Sequence, residues 1–296
     1  MTTPQAPETP ERAIPVLFSG LCDDAALFPP GELAPAQAVP AHLAHRSAWY
    51  ADLVGPFLCG PARIDPLAEL VGADEGLDVS LVVPEGSAGL APALRAIAAR
   101  PQLRLAGIEV PADRLDDAAE GVRRVRAELD RLLPEWPPGL PVAVELDRGP
   151  QLLLALDALE GGPYRAKFRT GGTVAQAFPG ELELASFLYA AVYRKLPFKC
   201  TAGLHHAVRH EDAGTGFAHH GFLNVLLATH AALGGAEHPE LVELLREQDG
   251  AVVAARVAAL TAGEQRAARA AFTGFGTCSI GEPLADLAAL GLVRIP

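Results

Sequence analysis

Three lysines are unusual in this chain because its other basic positions are arginines. The sequence contains 24 Lys and Arg residues, and only Lys167, Lys195 and Lys199 are lysines. All three fall within one short stretch of the chain. An amine can lose its proton and attack a carbonyl carbon, whereas a guanidinium stays charged. We therefore interpret Lys167 and Lys199 as candidate Schiff-base nucleophiles, and Lys195 as an ordinary surface residue.

Lys167 and Lys199 each lie in a short run that predicts a β-strand. Since side chains alternate along a strand, Lys167 shares a face with Arg169, and Lys199 shares a face with Thr201. If the two strands are neighbours in a parallel sheet, they lie ~4.8 Å apart and the amines are close. Two close ammonium groups repel, which would lower the pKa of one of them and supply the neutral amine that imine formation needs. The alternative is that both lysines point outward between helices.

Glu109 and Glu145 end two further apolar runs of the sequence. We interpret these two carboxylates as a proton relay for the same cavity. An ion pair with lysine or arginine is an equally open interpretation, and the two roles are compatible.

The elements that position these residues alternate along the chain. Eight short apolar runs are each followed by a helical pattern, which predicts a (β/α)8 TIM barrel. Continuous apolar runs are typical of a parallel sheet that is covered on both faces. An open doubly wound sheet is the alternative, but no GxGxxG follows the first strand. Residues 1–12 predict a disordered arm, and residues 13–296 predict one barrel domain. The predicted strands are 13–19, 56–60, 77–83, 103–110, 142–146, 164–169, 197–201 and 274–280.

The composition limits the partners and the location of the protein. The formal charge is −12, from 36 acidic against 24 basic residues. Nucleic acid and anionic membranes are therefore not expected partners, because both require basic patches. No stretch approaches the ~18 apolar residues that a membrane helix needs, and no secretory signal is evident. The four cysteines form no CxxC pair, which is typical of a cytoplasmic protein with reduced thiols. A small-molecule substrate and a homodimer are the expected partners.

Three motifs resemble those of deoxyribose-phosphate aldolase, a class I aldolase built on this barrel. KFRTGG, which begins at Lys167, resembles the family's Lys-x-x-Thr-Gly, whose lysine forms the Schiff base. FKCTAG resembles the segment that carries the second, activating lysine, here Lys199. GFGTCSIGE is similar to the family's Phe-Gly-x-Ser-Ser phosphate-binding turn. Glu109 stands where the family has an aspartate. The resemblance implies that Lys167 forms the Schiff base, that Lys199 activates it, and that Glu109 belongs to the relay.

The resemblance also implies where an anionic substrate group would bind. The last turn would offer amides and hydroxyls to a phosphate at the start of the final helix. There are departures from the family, since Ala202-Gly203 replaces its Gly-Gly, and the DDAALFPP loop has no counterpart that we identify. The predicted substrate-binding residues are Arg169, Thr170, Thr201, His205, His206, Gly276, Thr277 and Ser279.

A cluster of histidines offers a different chemistry. Five of the nine histidines lie between His205 and His220. His206 and His210 are four residues apart, which places two ligands on one face of a helix. With Glu109 and Glu145 they form an alternative metal set for zinc, magnesium or manganese. The histidines could equally bind substrate or act as general acids without a metal.

Three functions therefore remain open from the sequence. The first is a carbon–carbon lyase or aldolase that acts through a lysine Schiff base and needs no cofactor. The second is a metal-dependent lyase, isomerase or hydrolase that uses the histidine cluster and the strand-end glutamates. The third is a barrel that binds a small anion without catalysis.

Overall fold

The computed structural model describes residues 13–72 and 75–296. The predicted arm, residues 1–12, lies outside the described residues. The strands are β1 (Cys22–Asp24), β2 (Val54–Cys59), β3 (Leu77–Val82), β4 (Leu103–Pro111), β5 (Val142–Glu145), β6 (Arg165–Arg169), β7 (Phe198–Thr201), β8 (His210–Glu211), β9 (Ala218–His219) and β10 (Phe272–Thr277).

Helices follow or separate the strands in the predicted alternation. They are α1 (Pro35–Ser47), α2 (Ile64–Leu70), α3 (Ser87–Ala98), α4 (Ala118–Leu132), α5 (Leu152–Leu159), α6 (Glu181–Tyr193), α7 (Phe222–Leu233), α8 (His238–Arg246), α9 (Gly250–Ala258), α10 (Ala262–Ala271) and α11 (Gly281–Ala289). Within the described ranges, no helix combines the length and the apolar character that crossing a membrane requires.

Eight parallel strands close into a barrel, so the predicted (β/α)8 fold is confirmed. The order around the barrel is β1, β10, β7, β6, β5, β4, β3 and β2. The strands β8 and β9 are not part of it and form a short antiparallel hairpin in the segment after β7. All eight barrel strands point their C-terminal ends to the same side, where residues from distant parts of the sequence meet.

Apolar side chains on the outer face of the barrel fix the direction in which the polar ones point. Phe168 of β6 stacks on Phe187 of α6 with ring centroids 4.2 Å apart, and Phe187 also packs against Phe198 of β7. Because side chains alternate, this outward packing turns Lys167 and Lys199 into the barrel. The two lysines are direct register partners on β6 and β7.

The first predicted strand, residues 13–19, was wrong. Val16–Phe18 form a short 3-10 helix, and the strand begins only at Cys22. Ile14, Leu17 and Phe18 are buried, so this apolar run fills the core before the strand begins. Gly20 reverses the chain with φ +57°, a left-handed conformation that favours glycine.

The segment between β7 and β10 is more divided than the sequence predicts. The helical pattern of residues 219–272 predicts one long helical region that is broken at Gly234–Gly235 and at Thr261. The structure has four helices there. A further break separates α8 from α9, where the Asp249 carboxylate caps the new helix by accepting from the amides of Ala251 and Val252. His219 lies in the hairpin and not in a helix.

Candidate active site

The two lysines lie inside the barrel near the C-terminal ends of β6 and β7. Their side chains are only 5% and 7% exposed, for Lys167 and Lys199 respectively. Their partners come from strands elsewhere around the barrel, β1, β4 and β5. The alternative in which the lysines point outward between helices is therefore wrong.

Glu109 of β4 lies between the two amines and bonds both. Its Oε2 is 2.7 Å from Lys167 Nζ, and its Oε1 accepts a hydrogen bond from Lys199 Nζ. Burial alone would raise the pKa of Glu109, but the two ammonium groups outweigh burial and lower the pKa to about 2. Glu109 therefore stays ionised at neutral pH.

Lys199 has a second carboxylate partner in Asp23 of β1. Its ammonium donates to Asp23 Oδ2 as well as to Glu109 Oε1. Burial would lower the pKa of Lys199, but the two carboxylates raise it well above its usual range. The expectation that close amines leave one of them easily deprotonated therefore fails at Lys199, because the carboxylates outweigh the neighbouring ammonium group.

Glu145 and Arg169 extend the cluster towards the mouth of the barrel. Glu145 Oε2 is 2.8 Å from Lys167 Nζ, and Glu145 Oε1 is 3.5 Å from Arg169 Nη1. The Glu145 side chain is 20% exposed, against 2% for Glu109. Six side chains thus alternate in charge across the barrel, which offsets the cost of burying ammonium groups. Their order is Arg169, Glu145, Lys167, Glu109, Lys199 and Asp23.

Asp23 is a site residue that the sequence pattern did not indicate. It is adjacent to Asp24, and the two point to opposite faces of β1. Asp24 Oδ2 lies 2.9 Å from His42 Nδ1 of α1, and Asp24 Oδ1 accepts from the amide of Ala26. Burial raises the pKa of Asp23, although the Lys199 ammonium opposes that shift. If the first strand is begun at Cys22, the alternation of side chains predicts that Asp23 and Asp24 point to opposite faces.

The glycine-containing motifs after β6 and β7 pack against each other. A Cβ on Gly171 would lie 2.8 Å from Gly203 Cα, which explains why neither position carries a side chain. Thr170 is fully buried, and its hydroxyl donates to the carbonyl of Ala202. Thr170 is a predicted substrate-binding residue. In the structure its hydroxyl is buried and already hydrogen-bonded, so it joins the ends of β6 and β7.

Thr201 remains on the inner wall as predicted. It is half-buried, and its Oγ1 lies 3.7 Å from the position that a Cβ on Gly276 would take. Thr201 and Gly276 therefore line the same part of the barrel, on neighbouring strands.

The turn after β10 uses its hydroxyls internally. Thr277 is buried and donates through Oγ1 to the Ser279 carbonyl at 3.1 Å, while Ser279 Oγ accepts from the Glu282 amide at 3.3 Å. The carboxylate of Glu282 also lies in the first turn of α11. An anion at this helix terminus would meet that carboxylate, so the turn is less favourable to phosphate than its sequence indicates.

The loop histidines contact the last helix and not the barrel carboxylates. His205 Nδ1 is 2.9 Å from Glu282 Oε2, and His206 Nδ1 is 3.1 Å from Asp286 Oδ2. His210 packs edge-on against His206, with ring centroids 4.6 Å apart.

The alternative metal set of His206, His210, Glu109 and Glu145 is not brought together. Both oxygens of Glu109 accept from lysines inside the barrel, and Glu145 faces Lys167 and Arg169. Across residues 13–72 and 75–296, no group of three or more His, Cys, Asp or Glu side chains is placed to hold a metal ion.

The buried cysteines do not compete with the lysines as nucleophiles. Burial raises the pKa of the Cys59 thiol to about 12, and it raises the pKa of Cys200 further. A thiol in that state carries almost no thiolate at neutral pH.

No protein-family model matches the sequence, and no curated protein matches it. The arrangement of the six alternating charges is therefore the basis on which a function is inferred.

Proposed function

We propose that this protein is a class I aldolase or carbon–carbon lyase, in which Lys167 forms a Schiff base with a small anionic carbonyl substrate. The position of Glu109 between two buried amines supports the proposal most strongly. Two amines and an ionised carboxylate at the C-terminal ends of barrel strands supply a nucleophile, a fixed positive charge and a stabiliser for a cationic intermediate.

Lys167 is the nucleophile because Lys199 is the amine that keeps its proton. Lys199 contacts two buried carboxylates, and its raised pKa makes proton loss costly. Lys167 shares one of these carboxylates, but its other partner is Glu145, the more exposed and more accessible acid. Proton loss from Lys167 therefore has a route towards the barrel mouth.

The atoms and charges of imine formation balance when Glu145 carries the protons. Glu145 takes a proton from the Lys167 ammonium, and the freed lone pair forms the C–N bond while the carbonyl electrons move to oxygen. The oxygen takes up protons through Glu145 and leaves as water. Both protons that the amine loses leave in that water molecule, and the product is a protonated imine on Lys167.

Carbon–carbon bond cleavage follows from the electron demand of the protonated imine. A base removes the proton of a hydroxyl on the β-carbon, the bond between the α- and β-carbons breaks, and its electrons move into the imine to give an enamine and a free carbonyl product. Glu145 and Asp23 are the carboxylates available as bases. Glu109, with its pKa of about 2, stays ionised beside the cationic imine and stabilises it.

Exchange of α-protons tests this function without knowledge of the natural substrate. An enamine picks up deuterium from D2O, so NMR of small aldehydes, ketones and 2-oxo acids should show catalysed exchange. Lys167→Arg keeps the charge, removes the nucleophile and should abolish the exchange. Lys195→Arg is the matched control, because Lys195 is the third lysine and is exposed.

Two outcomes would contradict the proposal. Exchange that persists in Lys167→Arg would place the chemistry elsewhere. Anion binding to the wild-type protein without exchange of any carbonyl compound would favour the non-catalytic anion-binding barrel.

A further inference from the structure

A cleft of about 400 Å³ opens beside Arg169, at the rim of the barrel. It lies between the segment that follows β5 and the segment that follows β6. We refer to it as the Arg169 cleft. Its lining residues are Leu146, Asp147, Arg148, Gly149, Arg169, Gln176, Ala177 and Glu183.

Arg169 is the cation of this cleft whose guanidinium N–H donors are not all engaged. Its side chain is 47% exposed, and among the described residues its one carboxylate neighbour within 4.0 Å is Glu145, with Oε1 at 3.5 Å. Gln176 is exposed, and its carboxamide makes no hydrogen bond to the described part of the chain. A guanidinium and a free carboxamide in one cleft can together bind an oxyanion.

The other charged residues that line the cleft already have partners of opposite charge. Arg148 binds Glu183 through two hydrogen bonds of 2.6 Å and 2.8 Å and donates a third to the Ala177 carbonyl. Asp147 is the other acid of the lining, but its carboxylate is 76% exposed and lies 3.9 Å from Arg114. The charge of Arg148 is thus already balanced by Glu183. Arg169 is the arginine of the cleft that is left to attract an anion.

The cleft is connected to Lys167 through Arg169, which lines it, and through Glu145. Arg169 and Lys167 lie two residues apart on the inner face of β6, and Glu145 contacts both. Two residues along a strand span ~6.6 Å. A chain of about two to four covalent bonds, extended by one hydrogen bond, is close to that length.

We propose that the Arg169 cleft binds the anionic group of the substrate, and that the substrate is a short aldehyde or ketone with that group about two to four bonds from its carbonyl carbon. This inference rests on the proposed function for the identity of the carbonyl compound. It assigns the anion to β5 and β6, and not to the turn after β10, where Glu282 presents a carboxylate.

Matched probes with and without the anion test the inference. We choose 4-oxobutanoate against butanal for a carboxylate, and glyceraldehyde 3-phosphate against glyceraldehyde for a phosphate. The measurement is the probe concentration that gives half-maximal borohydride-reduced adduct on Lys167. If Arg169 makes a charged hydrogen bond to the anion, this half-maximal concentration in the wild-type protein should be about tenfold to a hundredfold lower for the anionic probe of the preferred pair.

Variants locate the origin of that preference. Arg169→Gln should bring the ratio within a pair close to one. Arg63→Gln is the matched control and should keep the ratio, because Arg63 follows β2, directly across the barrel from β6. A ratio that survives in Arg169→Gln, or that is lost in Arg63→Gln or in Ser279→Ala, would overturn the inference.

A non-reactive ligand separates this inference from the proposed function. The compound 4-hydroxybutanoate cannot form an imine, so calorimetry reports on the anion site alone. Binding that is lost in Arg169→Gln supports the cleft even if no probe forms an adduct. Equal binding in the wild-type protein and Arg169→Gln would refute the cleft, whatever happens at Lys167.

Discussion

Lys167 and Lys199 are register partners on neighbouring strands, and they bind opposite oxygens of the same carboxylate, Glu109. The two amines are not equivalent. Lys199 is enclosed by Glu109 and Asp23, whereas the second partner of Lys167 is the more exposed Glu145. This difference supports the proposed roles of Lys199 as a fixed charge and of Lys167 as the nucleophile.

Replacing Glu109 with glutamine should harm both stability and catalysis. It leaves two buried ammonium groups without their shared charge, so the free energy of unfolding should fall by about 3 kcal/mol. Exchange of α-protons should fall at least ~100-fold, because the cationic imine loses its stabiliser. Urea unfolding and NMR exchange measure the two effects.

Glu120→Gln is the matched control for that substitution. Glu120 pairs with Arg123 on the exposed face of α4, and its loss should change stability by less than about 1 kcal/mol. A Glu109→Gln protein as stable and active as Glu120→Gln would contradict the bridging role of Glu109.

Acid should weaken the folded state partly through Glu109. The pKa of Glu109 is about 2 when folded, below its ordinary value of 4.5, so the folded state binds that proton less readily than the unfolded state. The stabilisation is complete above the ordinary value and is lost as the pH falls towards 2. The difference in unfolding free energy between wild type and Glu109→Gln should therefore shrink from pH 5 to pH 2. A difference that stays constant over this range would refute the ion pairs of Glu109.

Removing the fixed charge of Lys199 should slow imine formation. In Lys199→Met, Lys167 faces Glu109 without a competing ammonium group, so the full attraction of that carboxylate acts on the Lys167 ammonium. Borohydride trapping at neutral pH should then be slower by roughly tenfold or more, with the adduct still on Lys167. An unchanged rate would show that Lys199 has no effect on the nucleophile. Lys195→Met is the control for the loss of a lysine.

Gly55 of β2 provides the room that Asp23 occupies. A Cβ at Gly55 would lie 2.0 Å from Asp23 Oδ1, so Gly55→Ala should displace the carboxylate from Lys199. We expect a loss of α-proton exchange and of ~1–3 kcal/mol of stability. Gly180→Ala is the control, because among the described residues other than its chain neighbours no heavy atom lies within 4 Å of its added Cβ. Equal exchange rates in the two variants would contradict a role for Asp23.

Chelation should leave catalysis unchanged. The carboxylates of the alternative metal set contact lysines, and His206 contacts Asp286. Exchange rates measured before and after EDTA treatment should therefore agree. Loss of exchange with EDTA, restored by zinc, magnesium or manganese, would support the metal-dependent alternative.

The sequence predicted the parts of the site that depend on neighbouring strands. Alternation along β6 and β7 placed Lys167 and Lys199 on one inner face, because outward phenylalanines fix the parity of both strands. Glu145 is the register partner of Lys167 on β5, so its proximity also followed from strand order.

The contact between Asp23 and Lys199 was not predicted, because β10 separates their two strands in the barrel. Asp23 meets Lys199 from 176 residues away, and the predicted first strand was placed too early to show which aspartate points inward. The sequence likewise gave no sign that Thr170 is engaged by the Ala202 carbonyl, because that contact depends on the close approach of Gly171 and Gly203.

The most direct test of the central claim is borohydride trapping followed by intact-mass measurement and peptide mapping. The panel contains small aldehydes, ketones and 2-oxo acids, with and without an anionic group. The proposed mechanism predicts the mass of one reduced adduct, mapped to Lys167 and absent from Lys167→Arg. An adduct on Lys199 would reverse the two roles, and the absence of any adduct across the panel would contradict the Schiff-base function.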